Sequence, residues 1–388
     1  MKQELKVILS GGGTAGHIYP ALALADELRS RGVKLFYVGT ALGPEAKLSH
    51  ESEIPFVALS TAGFVRSKPL SLFSSGFKAL KGAVQALKLL KREKPDAVVC
   101  FGGYVSVPLG LAASLCKVPL IIHEQNSYMG MTNRFLAKRA QAIALTYPET
   151  KGVPEAKHLQ KKGTKLEFVG NPVRESVLNS DGERARRELG IPDDAFLLFV
   201  FGGSRGARSI NQALVASAPK LLGAIPNLYL LHGTGRLEHD VVKKELDTGL
   251  FKTYPELKQR YLALDYVESM GDVFAAADLV VSRAGATSLA ELTALGKPSV
   301  LIPYPHATDD HQTTNALSLT TLGAARLIED KHLDTMGQEF SLFAETLLEL
   351  MGDDDLLADM ACRLASLGKN DAAKVLANEV VYWAAHQS

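Results

Sequence analysis

Short glycine loops carry the residues of this 388-residue chain whose types and spacing could do chemistry. Residues 10–17 read SGGGTAGH, in which Gly11, Gly13 and Gly16 fit a G-x-G-x-x-G fingerprint and His17 stands directly behind the last glycine. At a strand-to-helix turn such a loop lets backbone approach a ligand closely, and the amides and dipole of the helix start favour a phosphate or a polar oxygen. An imidazole at that end is held towards its neutral form and can accept a proton. The plain alternatives are a tight turn that needs small residues and a structural histidine. A nicotinamide site needs more, namely an Asp or Glu about 20 residues on, at the end of the second strand. Val38, Gly39 and Thr40 stand there instead, so the dinucleotide fingerprint is incomplete.

The second half repeats the theme. FGGSRGARSIN (201–211) puts Ser204 at a glycine turn with Arg205 and Arg208 near a helix start, and hydroxyl, amides and guanidinium together suit a pyrophosphate. SRAGATSLAELTALGKP (282–298) opens a helix after Gly285; Ser288 and Glu291 have the spacing of a capping box. The competing reading gives Ala286, Thr287 and Ser288 to a phosphate at the helix N-terminus and Glu291 to sugar hydroxyls. PYPHATDDHQTTNA (303–316) gathers His306, Asp309, Asp310, His311 and Gln312, but no second cluster completes a metal site. Asp353, Asp354 and Asp355 read as a solvated helix start.

Such loops must be held by strands and helices. KVILSG, KLFYVG, DAVVCFG, PLIIHEQN, AFLLFVFGG, NLYLLHG, LALDYV, ADLVVS and PSVLIPY are short apolar runs ending in glycine or polar residues, most followed by helical periodicity. That is the pattern of β-α-β units and a parallel sheet. Because the pattern restarts after Asn171 and Pro172, the expectation is an α/β chain of two tandem Rossmann-like domains, residues 1–172 and 173–372, facing a central cleft. The amphipathic segment 373–388 is a helix able to return to the first domain.

The formal net charge of +1 gives no global reason for nucleic-acid binding. Cys100, Cys116 and Cys362 show no C-x-x-C spacing, which points to a reducing compartment. The N-terminus lacks the apolar region of a signal peptide, and the tract from Val98 to Cys116 is broken by Gly102, Gly103, Pro108 and Gly110, so no membrane span is expected. One stretch is locally basic: between Ala62 and Lys94 stand Arg66, Lys68, Lys78, Lys81, Lys88, Lys91, Arg92 and Lys94 against Glu93 alone. Phe73, Phe77, Leu80, Val84 and Leu87 form a helical stripe beside them, which fits a helix lying on an anionic membrane. From Val84 onward the stripe is expected to pack on its own sheet, leaving Leu70, Leu72 and Phe73 as the membrane candidates.

GGGTAGH, FGGYVS, HEQN, GNPVR, GGSRGA, SRAGATSLAE and DHQTTNA, in this order and spacing, resemble the MurG family of bacterial peptidoglycan N-acetylglucosaminyltransferases from about residue 5 to the C-terminus. The resemblance implies a glycosyltransferase-B fold. It also implies inverting, single-displacement transfer of N-acetylglucosamine from UDP-N-acetylglucosamine to the C4 hydroxyl of the muramyl sugar of lipid I, giving lipid II. Donor contacts implied by motif fall on Thr14, Ala15, Gly16, Asn126, Arg174, Ser204, the backbone of Val267, the run Ala286, Thr287, Ser288, Leu289, Ala290 and Glu291, and either His311 or Gln312. Some members place glycine at Ala15 and glutamine at Arg205, and the loop before Gln312 is one residue longer here. His17 is the first choice of base and Glu124 the second, with Tyr104 and Asn126 orienting acceptor or base. No tightly bound cofactor and no divalent cation is implied, because helix N-termini and arginine can stabilise the diphosphate leaving group. The implied partners are the UDP-sugar, undecaprenyl-linked lipid I, an anionic cytoplasmic membrane surface met through 64–94, and cell-wall synthesis proteins. The implied location is the inner face of the cell membrane. Rival readings are a transferase of the same fold with another acceptor, a nicotinamide dehydrogenase, and a sugar-nucleotide binding module.

Overall fold

A strand buried on both faces should be apolar throughout rather than alternating, and KVILSG is. In the computed structural model, which describes residues 4–61, 71–155, 159, 163–333 and 341–386 and leaves the side chains of 71–79 and 308 aside, this run is β1 (Lys6–Gly11). The chain forms two compact units, Met1–Arg174 with Lys369–Ser388, and Glu175–Gly368.

In the first unit β1 leads through α1 (Ala15–Ser30) to β2 (Lys34–Gly39), α2 (Pro44–Glu51), β3 (Phe56–Ala58), α3 (Ser71–Glu93), β4 (Ala97–Gly102), α4 (Ser106–Leu115), β5 (Leu120–Glu124), α5 (Met131–Ala137), β6 (Ala142–Leu145) and β7 (Lys165–Phe168). All strands are parallel in the order β3-β2-β1-β4-β5-β6-β7, so the winding reverses between β1 and β4. Such reversal points are where open α/β sheets hold ligands. Val7 and Leu9 face one core layer, Ile8 the other. The second unit repeats the plan with β8 (Phe196–Phe201), α6 (Arg208–Ala224), β9 (Leu228–Gly233), β10 (Tyr261–Leu264), β11 (Leu279–Ser282), α7 (Ala286–Ala294), β12 (Ser299–Leu301), α8 (His311–Thr320) and β13 (Arg326–Leu327). Its order is β10-β9-β8-β11-β12-β13, and the reversal lies between β8 and β11. The added strands β3, β6, β7 and β13 are two to four residues long.

The closing helix α9 (Ala372–Ala385) belongs to the first unit, where Leu376, Ala377, Val380 and Ala384 are buried with Ile18, Leu22, Ala25 and Leu28 of α1. Arg31 Nη1 adds a bond to Asn378 Oδ1 at 2.7 Å. Burying one leucine contributes about 1.5–3 kcal/mol, so this return is an energetic part of the first unit.

Each core also holds a histidine. His123 Nε2 donates to Gly170 O (2.9 Å) and its Nδ1 accepts from Gln125 Nε2 (3.0 Å). His232 Nε2 lies 3.0 Å from Asn211 Oδ1, and its Nδ1 lies 2.8 Å from the Tyr261 hydroxyl, which donates. Burial lowers their pKa to about 4 and about 3.

Two outcomes follow from this packing. Leu376→Ala should cost about 2–5 kcal/mol of unfolding free energy, read by urea titration. Neutral in the fold and ordinary when unfolded, the two imidazoles contribute stability that is complete above about pH 6.5 and is lost as pH falls through about 4 for His123 and about 3 for His232. Imidazole NMR at pH 5.5 should therefore find both rings neutral, and a protonated ring at either position would contradict the packing.

Candidate active site

The reversal point of the first sheet sets the β1 and β4 loops side by side, with Gly11 paired to Gly102 across a register shift. Contact between the loops is main chain on main chain: Gly103 has φ +77, and a Cβ there would lie 2.4 Å from Gly12 O. Only glycine fits. α1 starts at Ala15, so Thr14, Ala15, Gly16 and His17 all belong to its first turn and cap.

His17 Nδ1 lies 3.1 Å from Gly12 O and 3.3 Å from Thr14 Oγ1. A carbonyl can only accept, so Nδ1 carries a proton, and in the neutral ring the lone pair is then on Nε2. The ring edge with Cδ2 and Nε2 lies over Gly102, where a Cβ would come within 3.1 Å of both atoms. Tyr104, 40% exposed, stands near Gly13.

Glu124, at the end of β5, is buried. Its Oε1 accepts from Asn126 N (3.0 Å) and Asn126 Nδ2 (3.2 Å), and its Oε2 from Gly130 N (2.9 Å) and Asn133 Nδ2 (2.8 Å). Four donors use the acceptor capacity of this carboxyl group, so the arrangement suits it to holding the β5 loop rather than to taking a proton. Asn126 is thereby oriented, and Arg174 lies over the ring of Tyr19 in α1, 4.0 Å from its centroid.

The second unit presents a different chemistry at the carboxyl edge of its sheet. Gly206 and Gly235 interlock the β8 and β9 loops, since a Cβ on Gly235 would lie 2.0 Å from Gly206 N. Ser204, Arg205, Arg236, Leu237 and Tyr266 line a recess of about 340 Å³ there. The Arg236 guanidinium stacks on Tyr266 at 4.2 Å, and the Arg236 backbone N–H donates to Ser204 O at 3.5 Å. The Val267 side chain is buried in the core, which leaves its backbone as the group it can offer a ligand. After β11, α7 begins at Ala286 with Gly285 as its cap. Leu289 is buried, Ala290 half-buried, Glu291 only 4% exposed, and Thr287 Oγ1 is buried without a hydrogen-bond partner. At the start of α8, Gln312 Oε1 accepts from Tyr304 N (2.9 Å), and His311 is half-buried beside it. Asp309 and Asp310 just before them have φ +53 and +50, a strained turn.

Two expectations need correction. A capping box requires Ser288 to be the cap, but Gly285 is, so Ser288 and Glu291 lie inside the helix. On α3 Gly82, Ala86, Leu89 and Leu90 are buried and Leu87 is half-buried against the same core layer, as expected from Val84 onward; Val84 itself, 44% exposed, departs from that expectation and turns outward with Leu80, 65% exposed, and with Lys81 and Lys88. Residues 64–70, including Leu70, lie outside the described residues, as do the side chains of Leu72, Phe73 and Phe77. His306, Asp309, Asp310 and His311 share one loop, and among the described residues no three His, Cys, Asp or Glu side chains converge as a metal site.

Sequence reasoning missed Glu45 and Arg283. Glu45 is fully buried behind the first glycine loop, with Oε2 accepting from Gly13 N (3.3 Å) and Oε1 from Thr40 N (2.8 Å) and Thr40 Oγ1 (2.6 Å). A carboxyl group just past a strand end that lacks the expected acid was the available signal. Arg283 bonds to Asp330, to Ser209 Oγ (2.9 Å) and to the carbonyls of Ile302 and Pro303 (both 3.2 Å), tying the β11 and β12 loops to α6.

Residues 7–145 match the glycosyltransferase family 28 N-terminal domain and residues 197–376 its C-terminal domain. The chain is 40% identical over 376 residues to the UDP-N-acetylglucosamine--N-acetylmuramyl-(pentapeptide) pyrophosphoryl-undecaprenol N-acetylglucosamine transferase of Halothermothrix orenii, covering 96% of this chain and 98% of the relative. It is 36% identical to the Clostridioides difficile enzyme of the same name, covering 97% and 88%. Among solved structures it resembles Acinetobacter baumannii MurG, with 28% identity, a TM-score of 0.75 and coverage of 97% and 99%. It shares its fold with S. aureus MnaA bound to UDP, with 15% identity, a TM-score of 0.68 and coverage of 98% and 96%. With both family 28 domains matched and near-complete relatives at this identity, the chain belongs to the MurG family of N-acetylglucosamine transferases.

Proposed function

We propose that the chain transfers N-acetylglucosamine from UDP-N-acetylglucosamine to the C4 hydroxyl of the muramyl sugar of lipid I, with inversion, giving lipid II. The observation that carries the chemistry is the His17 Nδ1 contact with Gly12 O, which puts the lone pair on Nε2. Nε2 takes the proton of the C4 hydroxyl as its oxygen attacks the anomeric carbon. The bond from that carbon to the UDP oxygen breaks, and its electron pair leaves with the diphosphate. Ser204, Arg205 and the α7 N-terminus at Ala286, Thr287 and Ser288 stabilise that charge, so this reading uses no tightly bound cofactor. Val267 offers backbone to the uracil, Glu291 meets sugar hydroxyls, and Gln312, already bonded to Tyr304 N, is preferred to His311 as the neighbouring contact. Thr14, Ala15, Gly16, Asn126 and Arg174 supply the contacts of the first unit. Glu124 acts as a positioning residue for the β5 loop.

No described helix is long and apolar enough to cross a membrane. We assign contact with an anionic membrane surface to the exposed face of α3, where Leu80 and Val84 stand with Lys81 and Lys88.

UDP release with a lipid I analogue tests the chemistry. His17→Ala should lower kcat about 10²–10⁴-fold; full turnover in that variant would remove the base assignment. Glu291→Ala should raise the KM for UDP-N-acetylglucosamine about 10-fold or more, as expected for losing a hydrogen bond to a charged group. An unchanged KM would leave Glu291 a core residue. For the membrane face, the double variant Leu80→Glu, Val84→Glu should bind phosphatidylglycerol vesicles at least about 10-fold more weakly in sedimentation, with turnover of a soluble acceptor analogue retained.

A further inference from the structure

The Gly12–Gly13 peptide has a partner at each end. Its N–H, on Gly13, points to Glu45 Oε2 at 3.3 Å; its C=O, on Gly12, accepts from His17 Nδ1 at 3.1 Å. A trans peptide is one planar group whose N–H and C=O point in opposite directions, so fixing one end fixes the other. We infer that Glu45 is a positioning residue for His17, acting through this peptide plane; the inference rests on the reading of His17 as the base.

The plane needs such a lock. Glycine on both sides makes it the least restrained kind of peptide, able to rotate with little steric penalty. Rotated, it would aim the Gly13 N–H towards Nδ1, which would then accept, and the ring proton would move to Nε2. That tautomer presents an N–H to the acceptor hydroxyl and cannot take its proton. Glu45 is itself held rigidly: Thr40 donates to Oε1 through both N and Oγ1, and a Cβ on Gly39 or Gly43 would lie 2.4 Å from its Cγ or 2.3 Å from its Oε2. The Tyr37 hydroxyl grips the preceding carbonyl, Gly11 O, at 2.7 Å, and burial followed by the proximity of Glu45 raises the Tyr37 pKa well above its ordinary value, keeping it a donor. Both oxygens of Glu45 face backbone N–H donors, so an amide in its place must turn an NH₂ towards one of them.

The test combines kinetics with a tautomer measurement. Glu45→Gln should lower kcat for UDP release with the lipid I analogue about 10–100-fold, within the range general-base catalysis spans, while the KM for UDP-N-acetylglucosamine changes less than about 3-fold. Nitrogen-15 NMR of histidine-labelled protein, at a pH where the ring is neutral and with His17→Ala to assign the signal, should show the Nδ1–H form of His17 in the wild type and a growing Nε2–H form in the variant. Thr40→Val removes only the hydroxyl bond to Glu45 and should shift both readouts in the same direction by less, so the inference stays testable if Glu45→Gln does not fold. Wild-type kcat, or a lost kcat with the tautomer unchanged, would overturn it. Full turnover in His17→Ala would sink the base reading separately, since the NMR signal reports the positioning whether or not His17 takes the proton.

Discussion

The structure depends on how closely two main chains approach at the carboxyl edge of each parallel sheet, between the β1 and β4 loops in the first unit and between the β8 and β9 loops in the second. A side chain at Gly103 would run into Gly12 O, and one at Gly235 into Gly206 N. At these points the loops of neighbouring strands fill space that a Cβ would otherwise occupy, so backbone rather than side chain forms the floor. Each loop then feeds directly into a helix, which sets amides and the first helical side chains above that floor. Where His17 can sit, and which of its nitrogens meets a carbonyl, follows from this packing.

The two units use the same plan for different chemistry because different groups fill the space beside the loops. In the first, acceptor oxygens come from behind: Glu45 takes the Gly13 N–H, and Glu124 takes Asn126, Gly130 and Asn133. The Gly13 N–H and the Gly12 carbonyl are thus engaged within the protein, and the His17 imidazole meets that carbonyl through Nδ1. In the second, guanidinium groups and a hydroxyl collect at the loop with no acid in the first turn of α7, and Arg283 is committed to Asp330 and to carbonyls as a brace. An electron-rich leaving group suits the second setting and a proton acceptor the first.

Most of this was legible in the sequence where apolar runs ended in glycine, since such a run, its turn and the following helix are specified within about fifteen residues. β3 and β13, three and two residues long, carry too little pattern to be read, and β7, four residues long, alternates charged and apolar residues rather than forming an apolar run. On α3 the expected stripe holds at Leu87 but not at Val84, because Ala86, Leu89 and Leu90 offer an apolar stripe as good as the one through Val84, and only the sheet beneath decides between them. Glu124 drew attention as a carboxyl group in a polar strand end; its four donors come from residues up to nine positions away, which spacing does not reveal.

Glu45 shows how moving one carboxyl group changes what a glycine loop is for. In a dinucleotide site the acid ends the second strand and faces the ribose, leaving the loop amides to the phosphates. Here the strand ends in Gly39, and the acid arrives only at Glu45 on α2, aimed back at the loop. From that side it cannot meet a sugar, but it occupies the Gly13 N–H that a phosphate would use. One displacement therefore removes an anion contact from the first loop and orients the peptide that sets the histidine's tautomer. The G-x-G-x-x-G spacing survives because the backbone approach still demands it, although the Gly13 N–H is given to a carboxylate of the protein itself.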